Sequence, residues 1–173
     1  MRGYCLADAL VKYYYEKFKT KKGFEYHFFN FLNENVKFEK PLKNSGNLLN
    51  YCWKVYSKLN ENEKKNFLYV FMLYGEKIVE LFENYKFVEA KKLLTTIKVN
   101  PEVFRDEVYY FDEENFCFYI YSKRAGKIIG SIVNRNRVLE LCKYFKIPVG
   151  GRHENQLESN NFGNNVSSIN DIR

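Results

Sequence analysis

The hydrophobic pattern of this chain changes period near residue 108, and that switch does most to narrow the folds it can adopt. Upstream, apolar residues recur at helical spacing. Tyr4, Leu6, Ala7, Leu10, Val11, Tyr14, Tyr15 and Phe18 form a wide stripe over residues 4–19. The run Lys19-Thr20-Lys21-Lys22-Gly23 reads as its end, because cations suit a helix C-terminus and glycine the position beyond it. Phe24 to Asn33 reads as a second helix, and residues 35–44, with Pro41, as a loop. Leu48, Leu49, Cys52, Trp53, Val55 and Tyr56 mark the core face of a third helix. Asn60 with Glu63 makes a capping box for a long helix that continues past Gly75 to about Tyr85. Phe87 to Ile97 is another helix, and Asn100-Pro101 a cap with proline at the first helical position.

Downstream, the elements are strands. Val108 to Phe111 is strand-like, Asp112 to Asn115 is a polar turn, and Phe116 to Tyr121 is aromatic and β-branched. Phe116, Phe118 and Ile120 are expected on one face, Cys117, Tyr119 and Tyr121 on the other. Lys123-Arg124-Ala125-Gly126 supplies a hairpin turn with glycine where a positive φ is wanted. Lys127 to Val133 returns as a third strand, weakened by Gly130. Asn134 then caps a last helix through about Phe145, stopped by Pro148 and Gly150-Gly151. The fold class is therefore α+β, mostly α. A helical N-terminal body (1–106) precedes an antiparallel β-hairpin or three-stranded meander with a closing helix (107–149), packed on the body. A polar, Asn-rich tail (150–173) follows.

Residues 82–94, up to Asn100-Pro101, are similar to the second helix of a tetratricopeptide repeat. No second copy stands at a period of 34, so the segment is read as an ordinary helical hairpin.

Charge carries the functional reading, once composition has been discounted. Lys, Asn, Phe, Tyr, Ile and Met make up 83 of 173 residues, all with AT-rich codons, so lysines and aromatics are inflated throughout. Codon bias does not explain where the excess charge falls. Residues 122–146 hold Lys123, Arg124, Lys127, Arg135, Arg137, Lys143 and Lys146 against one acid, Glu140, which gives +6 of the chain's net +7. Arg135 and Arg137 stand at the start of the last helix, where cations oppose the macrodipole and an anion would be welcome. Their alternative partners are Glu107, Glu113 and Glu114. A second basic run, Lys17, Lys19, Lys21 and Lys22 with Phe18 and Phe24, reads as an ordinary helix end.

Signatures of catalysis are sparse. The four cysteines lie 25 or more residues apart, among apolar neighbours, and read as buried free thiols in a reducing compartment. His27 sits among aromatics as a packed residue, and His153 lies in the tail. Walker A, Rossmann, H-E-x-x-H and G-x-S-x-G patterns do not occur, and Asp112-Glu113-Glu114 reads as an acidic turn. With no apolar run of about 18 residues, and an acid but no apolar h-region at the N-terminus, the expectation is an intracellular protein that does not span a membrane.

These features lead to a non-enzymatic nucleic-acid-binding protein, for DNA or RNA. It would neutralise phosphates through Lys123, Arg124, Lys127, Arg135, Arg137, Lys143 and Lys146, with no catalytic residues, metal or cofactor. A viral or mobile-element accessory protein suits the composition. The alternatives are a helical module binding another protein through aromatic hot spots, and a nuclease or other hydrolase.

Overall fold

The computed structural model describes residues 1–150, so the tail and His153 lie outside the described residues. These residues form two compact units. One is built from Val11–Asn100, the other from Met1–Leu10 together with residues 101–150.

The first unit is helical: the end of α1 (Leu6–Lys17), then α2 (Lys21–Asn35), α3 (Ser45–Tyr56), α4 (Glu61–Glu83) and α5 (Phe87–Thr96). Its core is aromatic because aromatics sit at the spacing that shares one helix face. Tyr14 and Phe18 on α1 and its end, Phe24, Phe28 and Phe31 on α2, Tyr56 on α3, and Phe67 and Phe71 on α4 are all fully buried. Their rings meet mostly edge-on or tilted, as between Tyr14 and Phe31 (5.1 Å, 64°) and between Phe18 and Tyr56 (5.7 Å, 86°).

Helix ends follow side-chain chemistry. Asn60 accepts from the Glu63 N–H at 2.9 Å while Glu63 accepts from the Asn60 N–H at 2.9 Å, completing the expected capping box of α4. The basic run differs from the sequence reading. Thr20 caps a new helix by accepting from the Gly23 N–H at 3.0 Å, so Lys21 and Lys22 open α2. Gly23 is not a C-cap but a point of close approach, where a Cβ would collide with the Lys17 carbonyl oxygen. Within α4, Tyr74 leaves helical geometry (φ −125°, ψ 18°) and kinks the helix. The buried Gly75 beside it leaves room for Val36, whose methyl a Cβ would strike.

The second unit is a four-stranded antiparallel sheet, β1 (Gly3–Tyr4), β2 (Glu107–Asp112), β3 (Cys117–Ser122) and β4 (Lys127–Ile132), in that order, with α6 (Arg135–Phe145). The expected meander and closing helix are present, and the N-terminus adds a fourth strand. Register puts Tyr109, Phe111, Phe118, Ile120 and Ile132 on one face. α6 lies on that side: Phe145 packs against Tyr4 (4.8 Å), Phe118 (5.6 Å) and Tyr109 (5.7 Å). The assignment of Phe118 and Ile120 to one side and Tyr119 and Tyr121 to the other holds. Phe116 does not share it: it sits in the β2–β3 turn at φ 48°, in the left-handed region. Gly126 ends the β3–β4 turn at φ 67°, the positive φ expected of it. The four cysteines are free thiols, three of them buried.

Candidate nucleic-acid interface

The seven cations of residues 122–146 fall into three groups. Lys123 and Arg124 lie in the β3–β4 turn and Lys127 begins β4; all three are exposed. Arg135 and Arg137 open α6, whose cap Asn134 accepts from the Arg137 N–H at 3.0 Å. Lys143 stands in the last turn of α6, and Lys146 is its left-handed C-cap. Strand register separates the first two groups. Ser122 faces Lys127 at one end of the sheet, while Phe118 faces Ile132 at the other, beside the start of α6. At about 3.3 Å per residue, six-residue strands hold these ends roughly 17 Å apart. The Arg135 guanidinium lies 5.1 Å from the Phe116 ring centre, which fixes it at the β2–β3 turn end and gives it a cation–π contact.

The face opposite α6 carries tyrosines. Tyr110 pairs with Tyr119 across β2 and β3, and Tyr121 pairs with Val108 on one side and Ile128 on the other. All three rings are partly exposed, and Ile128 is 58% exposed. The Tyr119 hydroxyl donates to Asp112 at 3.4 Å. Side chains of Val108 and Tyr110 close over Gly3, where a Cβ would collide, so glycine is what lets β1 join here. An aromatic surface therefore runs from the cationic turn toward the opposite end of the sheet.

Grouping in space changes the charge balance that the linear sequence suggests. The described part of the sheet unit holds nine Lys and Arg but also eight Asp and Glu, among them Asp106, Glu107 and Asp112 to Glu114. The helical unit holds 17 Lys and 10 Glu, with no Arg and no Asp, hence +7. The excess over residues 122–146 is thus local, and the two ends of the sheet differ. Lys123, Arg124 and Lys127 outnumber Asp106 and Glu107 at one end, whereas Asp112, Glu113 and Glu114 outnumber Arg135 and Arg137 at the other.

Asp106 builds the cationic turn. Its carboxylate accepts from the Arg124 N–H at 2.7 Å and the Ser122 hydroxyl at 2.8 Å, and its carbonyl accepts from the Lys123 N–H at 2.9 Å. The Arg124 amide first, then the Ser122 hydroxyl, hold the Asp106 carboxyl below the usual carboxylate range. A carboxylate favoured in the folded state contributes its stabilisation above its unfolded pKa, about 3.9, and loses it as pH falls through the lower folded value. The turn should therefore keep its form to about pH 4 and open below. Amide exchange checks this: Arg124, whose N–H the carboxylate accepts, should lose protection in acid, and in Asp106→Ala at neutral pH. Unchanged protection in that variant would remove Asp106 from this role.

The other candidate groups have structural surroundings. Lys19 pairs with Glu16 at 3.1 Å, Lys21 with Glu25 at 3.9 Å, and Lys17 lies over the Tyr13 ring at 5.2 Å. His27 is half-buried and meets Tyr26 edge-on at 4.8 Å. Asp112 accepts from the Asn115 backbone at 3.1 Å and its side-chain amide at 2.8 Å, and these bonds, the side-chain one foremost, lower its pKa. Among the described residues, no group of three or more His, Cys, Asp or Glu is placed to hold a metal ion, and no helix is long and apolar enough to cross a membrane. Tyr110 shares the tyrosine face with Tyr119, and its alternation with the buried Tyr109 is the sequence signal for that placement. Comparison with known proteins finds no matching family model, no similar curated protein and no similar solved structure.

Proposed function

We propose that the protein binds single-stranded nucleic acid without transforming it, through the tyrosine face of its sheet and the turn beside it. The observation that carries this reading is the adjacency of Tyr121 and Tyr119 to exposed Lys123, Arg124 and Lys127. Aromatic faces accept any base by stacking, and cations at one end of such a face fix the backbone. The turn is the primary phosphate contact of the seven cations, because three acids crowd the opposite end and Arg135 is already drawn to Phe116. Arg135, Arg137, Lys143 and Lys146 are secondary contacts for a longer strand.

Salt titration of oligonucleotide binding tests this. Three phosphate contacts on a single strand give a log K against log salt slope of about −2. Lys123→Ala, Arg124→Ala and Lys127→Ala together should flatten the slope by about that amount, and Arg135→Ala with Arg137→Ala by less. Equal flattening by both sets would mean diffuse attraction; a flat wild-type slope would discard the reading.

One observation favours a protein partner instead. On and just beyond edge strand β4, Ile128, Ile129 and Val133 are 58%, 44% and 46% exposed, as a strand-pairing surface would be. Co-purification of a protein that Ile129→Lys abolishes, with no nucleic acid bound, would select that alternative.

A further inference from the structure

A second aromatic surface lies wholly within the helical unit, where α3 faces the α4–α5 connection. It is a groove of about 520 Å³ lined by Asn47, Asn50, Tyr51 and Lys54 on one wall and Tyr85 and Phe87 on the other. That volume is in the range of sites for small organic groups. The first four residues stand at i, i+3, i+4 and i+7, one continuous face of α3. The core of the unit takes a different face of the same helix, through Leu48, Cys52, Val55 and Tyr56.

Tyr85 is in an unusual place for a tyrosine. Lys86 N–H donates to the Leu81 carbonyl at 2.8 Å and Tyr85 N–H to that of Phe82 at 3.0 Å, the Schellman closure of a helix C-terminus. The residue at Tyr85's position adopts left-handed geometry, here φ 61°, which glycine takes without cost and a bulky side chain does not. The residue is 72% exposed, so burial does not compensate for that conformation. The ring stands edge-on to Phe87 at 6.1 Å, forming the open end of the groove. Tyr51 is fixed behind it, its hydroxyl donating to the Phe87 carbonyl at 2.7 Å.

We infer that this groove binds a nucleotide of a single-stranded nucleic acid, the base stacking on Tyr85 and meeting the Phe87 ring edge to face, the amides of Asn47 and Asn50 meeting base edges, and Lys54 taking a phosphate. Charge selects this occupant. The unit around the groove is +7, which suits a polyanion and disfavours a basic peptide. Glu83, which lies near, already accepts the Lys43 N–H at 2.9 Å. The ligand class rests on the function proposed above, but the site is separate from the sheet.

The test uses the full chain and an oligothymidylate carrying 5-iodouracil, photo-crosslinked and mapped by mass spectrometry, alongside Tyr85→Gly. Expected are adducts on Tyr85 or Phe87, and binding weaker by roughly 5- to 150-fold in Tyr85→Gly, the size of one lost stacking contact. The Tm of that variant should be unchanged or higher, since glycine suits the position; this separates a ligand role from a structural one. Adducts confined to Tyr119 and Tyr121, with wild-type binding by Tyr85→Gly, overturn the groove and leave the sheet reading standing. No binding by the wild type overturns both. Thymidine monophosphate displacing the oligonucleotide at equal concentration overturns the strand assignment in favour of a free nucleotide. An acidic or proline-rich peptide held through Tyr85 in place of the oligonucleotide overturns the nucleotide assignment.

Discussion

Phe18→Ala should lower stability by about 3–5 kcal/mol, because the ring it removes is surrounded by others that cannot follow it into the space. Phe18 is buried, with ring centres of Phe24 at 4.6 Å, Tyr14 at 5.6 Å, Tyr56 at 5.7 Å, Phe31 at 6.0 Å and Phe28 at 6.5 Å. Each neighbour is a stiff plate with two rotatable bonds, held in turn by further rings. Relaxation is therefore small and the cavity remains. Urea unfolding followed by tryptophan fluorescence reads this directly: the chain has one tryptophan, Trp53, and its ring lies 5.3 Å from that of Phe24. Phe18→Leu, which keeps most of the volume, should lose only about 1–2 kcal/mol. A loss below about 1 kcal/mol in Phe18→Ala would show that the cluster collapses around the gap and is not rigid.

Phe118→Ala should be of similar size in the sheet unit, again about 3–5 kcal/mol. Phe118 is fully buried at the centre of its face, 5.0 Å from Phe111, 5.6 Å from Phe145 and 6.4 Å from Tyr109. With Tyr109 and Phe145 it joins β2, β3 and α6 in one core. Loss of the ring should speed amide exchange along β3 and α6 together. Acceleration confined to residues 117–119 would mean that α6 has anchorage elsewhere. Tyr119→Ala, on the opposite face, should leave those rates nearly unchanged while weakening oligonucleotide binding.

Much of the fold was legible because local chemistry and tertiary packing agree. Asn60 with Glu63, Asn134 before Arg135, and Gly126 in the second hairpin each satisfy backbone demands that residues a few positions away create. The failures share a different origin. Gly3–Tyr4 became a strand because residues 109 and 110 lie beside it, a pairing that no local pattern announces. Gly23 resembles a helix terminator in sequence, but its missing Cβ serves a close approach to Lys17. Phe116 holds a left-handed position usually given to glycine, so its identity pointed to strand where the chain still turns. The candidate site was the least legible part. Charge along the chain does not reveal that the fold sets Asp106 beside Arg124 and the Asp112–Glu114 turn at the Arg135 end of the sheet.

The sheet also imposes an order of assembly. Tyr4 pairs with Tyr109, so this strand waits for a partner made more than a hundred residues later. At about 5–20 residues per second, a ribosome needs roughly 5–20 s to supply that partner. Helices form in microseconds, and the unit from Val11 to Asn100 lies entirely inside the interval. As a loose loop of that length it would oppose closure by about 4 kcal/mol, more than a two-residue strand can offset. Folded beforehand, it is no longer a loop but a spacer of fixed dimensions, and most of that entropy is already lost. The strand at Gly3–Tyr4 thus finds its place only after the helical unit behind it has been made.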